Sequence, residues 1–106
     1  MRMLSFALLG TLFASVFALP AEAQSFNCRY ARSADEVLIC QEPQLSRLDE
    51  ELAAVYARVR SRTRGSDLEE LTAEQASWLR GRKECGRDYR CVESYYRRRI
   101  AQLREL

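Results

Sequence analysis

The chain has 106 residues, of which 47% are hydrophobic and 30% are charged, and its formal net charge is only +2. This length allows one small domain at most. The modest charge argues against a nucleic-acid partner, because nucleic-acid-binding domains carry a strong excess of Lys and Arg. Histidine is absent, which excludes most catalytic triads and most general bases that work at neutral pH.

The first 23 residues have the pattern of a secretory signal peptide. Arg2 precedes an apolar run over residues 4–19, and the segment Ala21–Ala23 has the small-x-small form that signal peptidase cleaves. The run is short for a membrane span, and no basic cluster follows it. We therefore expect cleavage after Ala23, a mature domain of residues 24–106 without a stable membrane anchor, and a periplasmic or secreted location.

Hydrophobic periodicity predicts helices throughout the mature chain and no strands. The first helix is short, is capped at Ser33 with Glu36 closing a capping box, and stops before Pro43. The second helix starts at Pro43 and runs to about Arg62. Its apolar stripe consists of Leu45, Leu48, Leu52, Val55, Tyr56 and Val59. The inward face of the first helix consists of Val37, Leu38 and Cys40.

Two further helices follow. The third begins at Ser66 and closes near Cys85, with Gly86 as a left-handed cap, and the fourth begins around Asp88. The inward face of the third helix consists of Leu68, Leu71, Gln75, Trp78, Leu79 and Arg82. That of the fourth consists of Val92, Tyr96, Ile100 and Leu103. The predicted fold is all-α: a small antiparallel bundle of three main helices, with the short N-terminal helix across one end.

The four cysteines are expected to form two disulfides, because an even number in a small exported domain is typical of a disulfide framework. Of the three possible pairings, the local one is favoured: Cys28 with Cys40, and Cys85 with Cys91. The short turn between the third and fourth helices brings the second pair together. A zinc site is the alternative, but the spacings of eleven and five residues exceed those of zinc ribbons, and histidine ligands are missing.

Two carboxylates would suffice for a glycosidase, so the acidic residues need an interpretation. They concentrate in the early turns of the second and third helices, whereas basic residues concentrate in the late turns, as the helix macrodipole favours. We interpret them as solvated surface charges and expect no enzyme, no cofactor and no metal. These acids are Asp49, Glu50, Glu51, Asp67, Glu69, Glu70 and Glu74.

Arginine and tyrosine are the residue types most suited to a binding surface. Arg82 and Arg99 lie on or beside the apolar stripes, so we expect them to extend over the core and pair with carboxylates. Several other arginine and tyrosine residues lie off the stripes. They are candidates for an aromatic–arginine contact surface, because both residue types are favoured at interface hot spots. This set consists of Tyr30, Tyr89, Tyr95, Arg87, Arg90, Arg97 and Arg98.

Two strings of residues resemble the LprI-like lysozyme-inhibitor family. The first is Glu36-x-x-Ile39-Cys40 followed by Pro43-x-Leu45-x-x-Leu48-Asp49-x-x-Leu52-x-x-x-Tyr56. The second is Glu74-Gln75-x-x-Trp78-Leu79-x-x-Arg82-x-x-Cys85 followed by Cys91-x-x-x-x-Tyr96-x-x-Arg99-Ile100-x-x-Leu103. The resemblance covers nearly the whole mature chain. It implies an all-helical protein of the bacterial cell envelope that inhibits lysozyme.

The leading hypothesis is therefore a secreted binding protein that inhibits lysozyme, and the alternative is an envelope interaction or stress protein without that activity. Animal-type lysozymes are basic and hold two carboxyl groups in their cleft, so a slightly basic inhibitor gains little from overall attraction. We expect it instead to present a cation to the cleft. Candidates are the turn bearing Arg87 and Arg90 and the loop Arg60–Gly65, the first being stiffer because a disulfide holds it.

Overall fold

Every element in the part of the chain that the structure describes is helical. This computed structural model describes residue 10 and residues 25–106, so the predicted signal peptide lies almost entirely outside it. The elements are a 3-10 turn at Cys28–Tyr30, α1 at Ala34–Gln41, α2 at Pro43–Ser61, α3 at Gly65–Glu84 and α4 at Tyr89–Arg104. The all-α prediction is confirmed, and none of the described helices is both long and apolar enough to cross a membrane.

The predicted boundaries of α1 are confirmed, although its capping bond differs. Ser33 is the N-cap, but its hydroxyl donates to Glu36 Oε1 at 2.7 Å instead of accepting a backbone N–H. Glu42 is extended, as expected of a residue that precedes proline. Pro43 then opens α2, where its missing N–H leaves no bond unmade.

The junction between α2 and α3 differs by one residue at each side from the prediction. α2 ends at Ser61, and α3 begins at Gly65 with extended Arg64 before it, so Ser66 is not the N-cap. Gly65 has a φ of +60°, a left-handed conformation that glycine adopts without a steric penalty. The chain can therefore reverse within three residues.

The junction between α3 and α4 follows the prediction. α3 ends at Glu84, and Gly86 has a φ of +58°. Asp88 caps α4, because its carboxylate Oδ1 accepts the Cys91 N–H at 3.1 Å. This cap satisfies one of the amides that a helix start leaves unbonded.

Side-chain contacts fix the helix directions. Trp78 on α3 packs against Tyr95 on α4, while Gln75 bonds to Arg99, so residue numbers run in opposite senses and the two helices are antiparallel. α2 and α4 run in the same sense, because a bond joins Asp49 to Tyr96 and another joins Arg62 to Leu106. α1 packs on α2 and α3.

The core is assembled from the predicted stripes, with three differences. Tyr96 is fully buried, whereas Trp78 and Tyr56 are only partly buried and pack against the core. Leu79 was predicted to face inward but is 41% exposed. Ile39, rather than Val37, is the fully buried aliphatic side chain of α1.

Both predicted disulfides are confirmed. Cys28 pairs with Cys40 and Cys85 pairs with Cys91, with Cα–Cα distances of 5.9 Å and 5.5 Å. The first bridge attaches the N-terminal segment to the end of α1. The second spans the turn between α3 and α4, so the two bridges fix opposite parts of the chain independently.

Removing either bridge by a double Cys→Ala substitution should lower the free energy of unfolding by about 2–3 kcal/mol, because the unfolded chain regains loop entropy. The loss should be slightly larger for Cys28–Cys40, whose sequence separation is 12 rather than 6. Urea unfolding at neutral pH measures it. An unchanged midpoint and slope for both variants would contradict this role.

Candidate functional site: a disulfide-held turn above a buried charged cluster

The turn between α3 and α4 has a backbone fixed by three independent constraints. The Cys85–Cys91 bridge closes it. The Asp88 N–H donates to the Cys85 carbonyl at 3.1 Å, and the Asp88 carboxylate in turn accepts the Cys91 N–H. Such a turn loses little conformational freedom when it binds a partner.

The cations at this turn are exposed and uncommitted. Arg87 and Arg90 are both exposed, as is Lys83 in the last turn of α3. Within residues 25–106 none of these three side chains forms a hydrogen bond or an ion pair. The two arginines predicted as partner-binding residues therefore lie close together in sequence on a rigid support, with all their donors available.

The alternative loop, Arg60–Gly65, has fewer arginine donors available for a partner. The Arg62 guanidinium donates to the Leu106 carbonyl at 3.0 Å. Arg64 donates to the carbonyls of Ser61 and Thr63 at 3.0 and 3.2 Å. A partner would have to replace these bonds, so the geometry favours the disulfide-held turn.

The predicted aromatic–arginine surface is only partly assembled. Arg98 lies over the Tyr95 ring at 5.3 Å, which is a cation–π contact. Arg97, however, pairs with Glu93 at 3.5 Å. Tyr89 packs against the hydrophobic core. Tyr30 is 67% exposed in the 3-10 turn.

A charged cluster lies in the core beneath these surfaces. The Arg82 Nε donates to Asp35 Oδ2 at 2.7 Å, and its Nη1 donates to the Tyr96 hydroxyl at 2.9 Å. The Tyr96 hydroxyl donates to Asp49 Oδ1 at 2.8 Å. Each of the four helices contributes one of these side chains, so the cluster ties all of them together.

The structure corrects the interpretation of Asp49 as a solvated charge, because this residue is 1% exposed. Its carboxylate accepts bonds from the hydroxyl and the backbone N–H of Ser25, which also attaches the N-terminal segment. A signal was present in the sequence: Asp49 follows Leu45 by four residues and precedes Leu52 by three, so it lies on the apolar stripe.

The two stripe arginines behave as predicted. Arg82 pairs with Asp35, and its guanidinium also faces three aromatic rings, those of Phe26, Trp78 and Tyr96, at 5.5–5.9 Å. Arg99 donates from Nε to Gln75 Oε1 at 2.9 Å, with Glu74 Oε2 at 3.9 Å from its Nη1. Both stems therefore cover apolar surface, and each guanidinium donates to at least one side-chain acceptor.

The cluster lowers the pKa of Asp35 and raises that of Tyr96. Burial alone would raise the pKa of Asp35, but the Ser33 hydroxyl and the Arg82 guanidinium outweigh it, and the pKa lies below its ordinary value. Burial and the neighbouring Asp49 carboxylate raise the pKa of Tyr96 far above its usual range. Asp35 thus stays charged and Tyr96 stays protonated, which suits a scaffold rather than proton transfer.

Replacing Asp35 with Asn should lower the free energy of unfolding by about 3–5 kcal/mol, because it removes the carboxylate nearest to the buried Arg82 charge and leaves only Asp49, at 3.9 Å. The control is Glu93→Gln, which breaks the exposed pair with Arg97 and should cost no more than about 0.5 kcal/mol. Denaturant unfolding of both variants measures the contrast. Equal losses of unfolding free energy would show that the buried pair stabilises the fold no more than the exposed pair does.

The lowered pKa of Asp35 also predicts acid sensitivity. Its ordinary pKa is 3.8, so its contribution to stability is complete above that pH and is lost as the pH falls through the lower pKa of the folded state. The slope of unfolding free energy against pH between 4 and 2 should therefore be smaller in Asp35→Asn than in the unsubstituted protein. Equal slopes for the two proteins would contradict a lowered pKa of Asp35 in the folded state.

Comparison with known proteins assigns the family. The model of the family described as lysozyme inhibitor LprI matches residues 28–103, which include all four cysteines, the buried cluster and the turn. The chain is 32% identical over 87 residues to the lipoprotein LprI of Mycobacterium tuberculosis and to that of Mycobacterium bovis. The aligned part is 79% of this chain and 43% of each relative, so the chain spans under half of their length.

No solved structure matches the chain. The helical architecture described above, with its two bridges and its buried Arg82 cluster, coincides with the matched region. The chain belongs to the LprI family of lysozyme inhibitors.

Proposed function

We propose that this chain is an exported binding protein that inhibits lysozyme through the turn between α3 and α4. Family membership supports the activity. The observation that carries the choice of surface is the pair of exposed, unpaired guanidinium groups of Arg87 and Arg90 on a disulfide-held backbone. Export rests on the signal-peptide pattern of residues 1–23, with cleavage after Ala23.

The mechanism follows from charge and shape. A guanidinium can donate two parallel hydrogen bonds to a carboxylate, and lysozymes that retain configuration place two carboxyl groups at the scissile bond. An inserted Arg87 or Arg90 would occupy that position and exclude the substrate. Because the turn is already ordered, most of the contact energy is retained in binding.

A binding role without catalysis agrees with the disposition of the acidic residues. Asp35 and Asp49 are committed to Arg82, Tyr96 and Ser25 in the core. The remaining candidate acids of α2 and α3 are partly or fully exposed and lie on the outer faces of the helices. We therefore propose that this chain acts by binding a partner and not by catalysing a reaction.

A second candidate function is an envelope interaction module without lysozyme activity. The observation that favours it is coverage: the chain aligns with 43% of the lipoprotein relatives. The activity of the whole lipoprotein belongs to a chain of which the aligned part is under half. Both candidates use a rigid turn with free cations, so only the identity of the partner separates them.

The first experiment titrates the oxidised domain of residues 24–106 against a basic animal-type lysozyme and follows clearing of a peptidoglycan suspension. The inhibitor proposal expects a saturable, dose-dependent loss of lysis that disappears after reduction of the disulfides. No inhibition at large molar excess would reject that proposal for this lysozyme class and favour the interaction module.

The double substitution Arg87→Ala and Arg90→Ala should weaken inhibition at least about tenfold, since a lost charge-assisted bond costs about 1.5–3 kcal/mol. The matched control is Arg47→Ala with Arg58→Ala, which removes the same charge from exposed, unpaired positions of α2. The inhibition constants of the two variants are compared with that of the unsubstituted protein. Equal weakening in both would indicate general electrostatic attraction instead of a specific turn.

A further inference from the structure

A second surface, separate from the turn, lies in the groove between α3 and α4. It consists of two adjoining hollows of about 480 and 200 Å³. Both hollows share Trp78, Tyr95, Arg99 and Gln102. Glu74, Ser77 and Leu106 also line the larger hollow, and Arg98 lines the smaller one. The groove therefore combines aromatic rings, amide and hydroxyl groups, cations and one carboxylate within a small volume.

The guanidinium of Arg99 is incompletely satisfied. Arg99 is 6% exposed, yet its Nη2 has no hydrogen-bond partner among residues 25–106. Its Nη1 is 3.9 Å from a carboxylate oxygen of Glu74, whose side chain is half exposed. Only Nε has a close partner, Gln75. A buried cation with spare donors is costly, and a carboxylate that displaces Glu74 would satisfy it with bidentate geometry.

The aromatic walls of the groove are held in place. The Trp78 Nε1 donates to the Tyr95 carbonyl at 3.2 Å, and the two rings lie 6.2 Å apart at 53°. A Cβ at Gly81 would come within 2.6 Å of the Tyr95 hydroxyl oxygen and 2.8 Å of its ring. Glycine at this position therefore allows the Tyr95 ring to lie against α3. Ring faces fixed in this way suit the apolar face of a flat, ring-shaped ligand.

The rim supplies further polar contacts. Gln102 and Ser77 are exposed, and the side chain of neither forms a hydrogen bond with another described residue. An amide offers both donors and an acceptor, and a hydroxyl does the same on a smaller scale. Such groups match the hydroxyl and acetamido substituents of a sugar.

We propose that this groove binds an acidic saccharide, with the sugar ring against Trp78 and Tyr95 and its carboxylate on Arg99. A bare anion would leave the aromatic faces and the polar rim unused. A neutral sugar would offer the Arg99 donors only uncharged acceptors, which form weaker bonds than a carboxylate. The proposal does not depend on lysozyme inhibition, because the groove uses none of the cations of the turn.

Trp78 is the single tryptophan of the chain, so its fluorescence reports directly on the groove. The oxidised domain is titrated with N-acetylmuramic acid, with N-acetylglucosamine, which lacks the lactyl carboxylate, and with lactate, which lacks the sugar. We expect N-acetylmuramic acid to bind at least about tenfold more tightly than either, the difference one charged hydrogen bond provides. Equal affinity for lactate would reduce the groove to an anion site, and equal affinity for N-acetylglucosamine would exclude a role for Arg99; either overturns the proposal.

Variants locate the binding. Ser77→Phe fills the groove from an exposed helix position, and Gly81→Ala displaces the Tyr95 ring, so both should abolish the fluorescence response. Arg99→Gln should remove the preference for the carboxylate. Arg87→Ala, at the turn, is the control that should bind normally. Circular dichroism confirms folding of each variant, and undiminished binding by a folded Ser77→Phe protein would refute the location.

Discussion

The Arg82 guanidinium donates hydrogen bonds to Asp35 and to the Tyr96 hydroxyl, and that hydroxyl in turn donates one to Asp49. A charge in a core this small needs a partner of opposite charge, because an unpaired buried ion costs several kcal/mol. The cluster therefore constrains the bundle in a way that apolar packing does not. Leucine and valine stripes tolerate small rotations of a helix, whereas these hydrogen bonds require one register for all four helices.

The disulfides complement this constraint at the edges of the bundle. The buried cluster fixes the helices relative to one another, while each bridge fixes a segment next to a helix end. The result is a rigid frame with two different outer surfaces. The turn of Arg87 presents free cations, and the groove of Trp78 and Tyr95 presents rings and a partly satisfied cation. Rigidity is thus concentrated where both proposed surfaces are attached.

The sequence predicted the helices, both bridges and most of the core, because apolar spacing and cap residues are local signals. Buried polar contacts were harder to predict. Asp49 was interpreted as a surface charge since its partners, Tyr96 and Ser25, are distant in sequence. Leu79 was placed in the core because a stripe pattern does not say how wide the covered face is. The choice between two arginine-bearing segments needed the observation that Arg62 and Arg64 are already hydrogen-bonded.

The bonds from Ser25 to Asp49 have a consequence for the order of events in maturation. They bring the chain into the folded body two residues after the proposed cleavage at Ala23. A peptidase binds several extended residues around the bond that it cuts, and with the predicted cleavage after Ala23 the bonded Ser25 would lie within that stretch. Processing of the precursor would therefore precede docking of this segment, so that the last bonds to the core form only on the released chain.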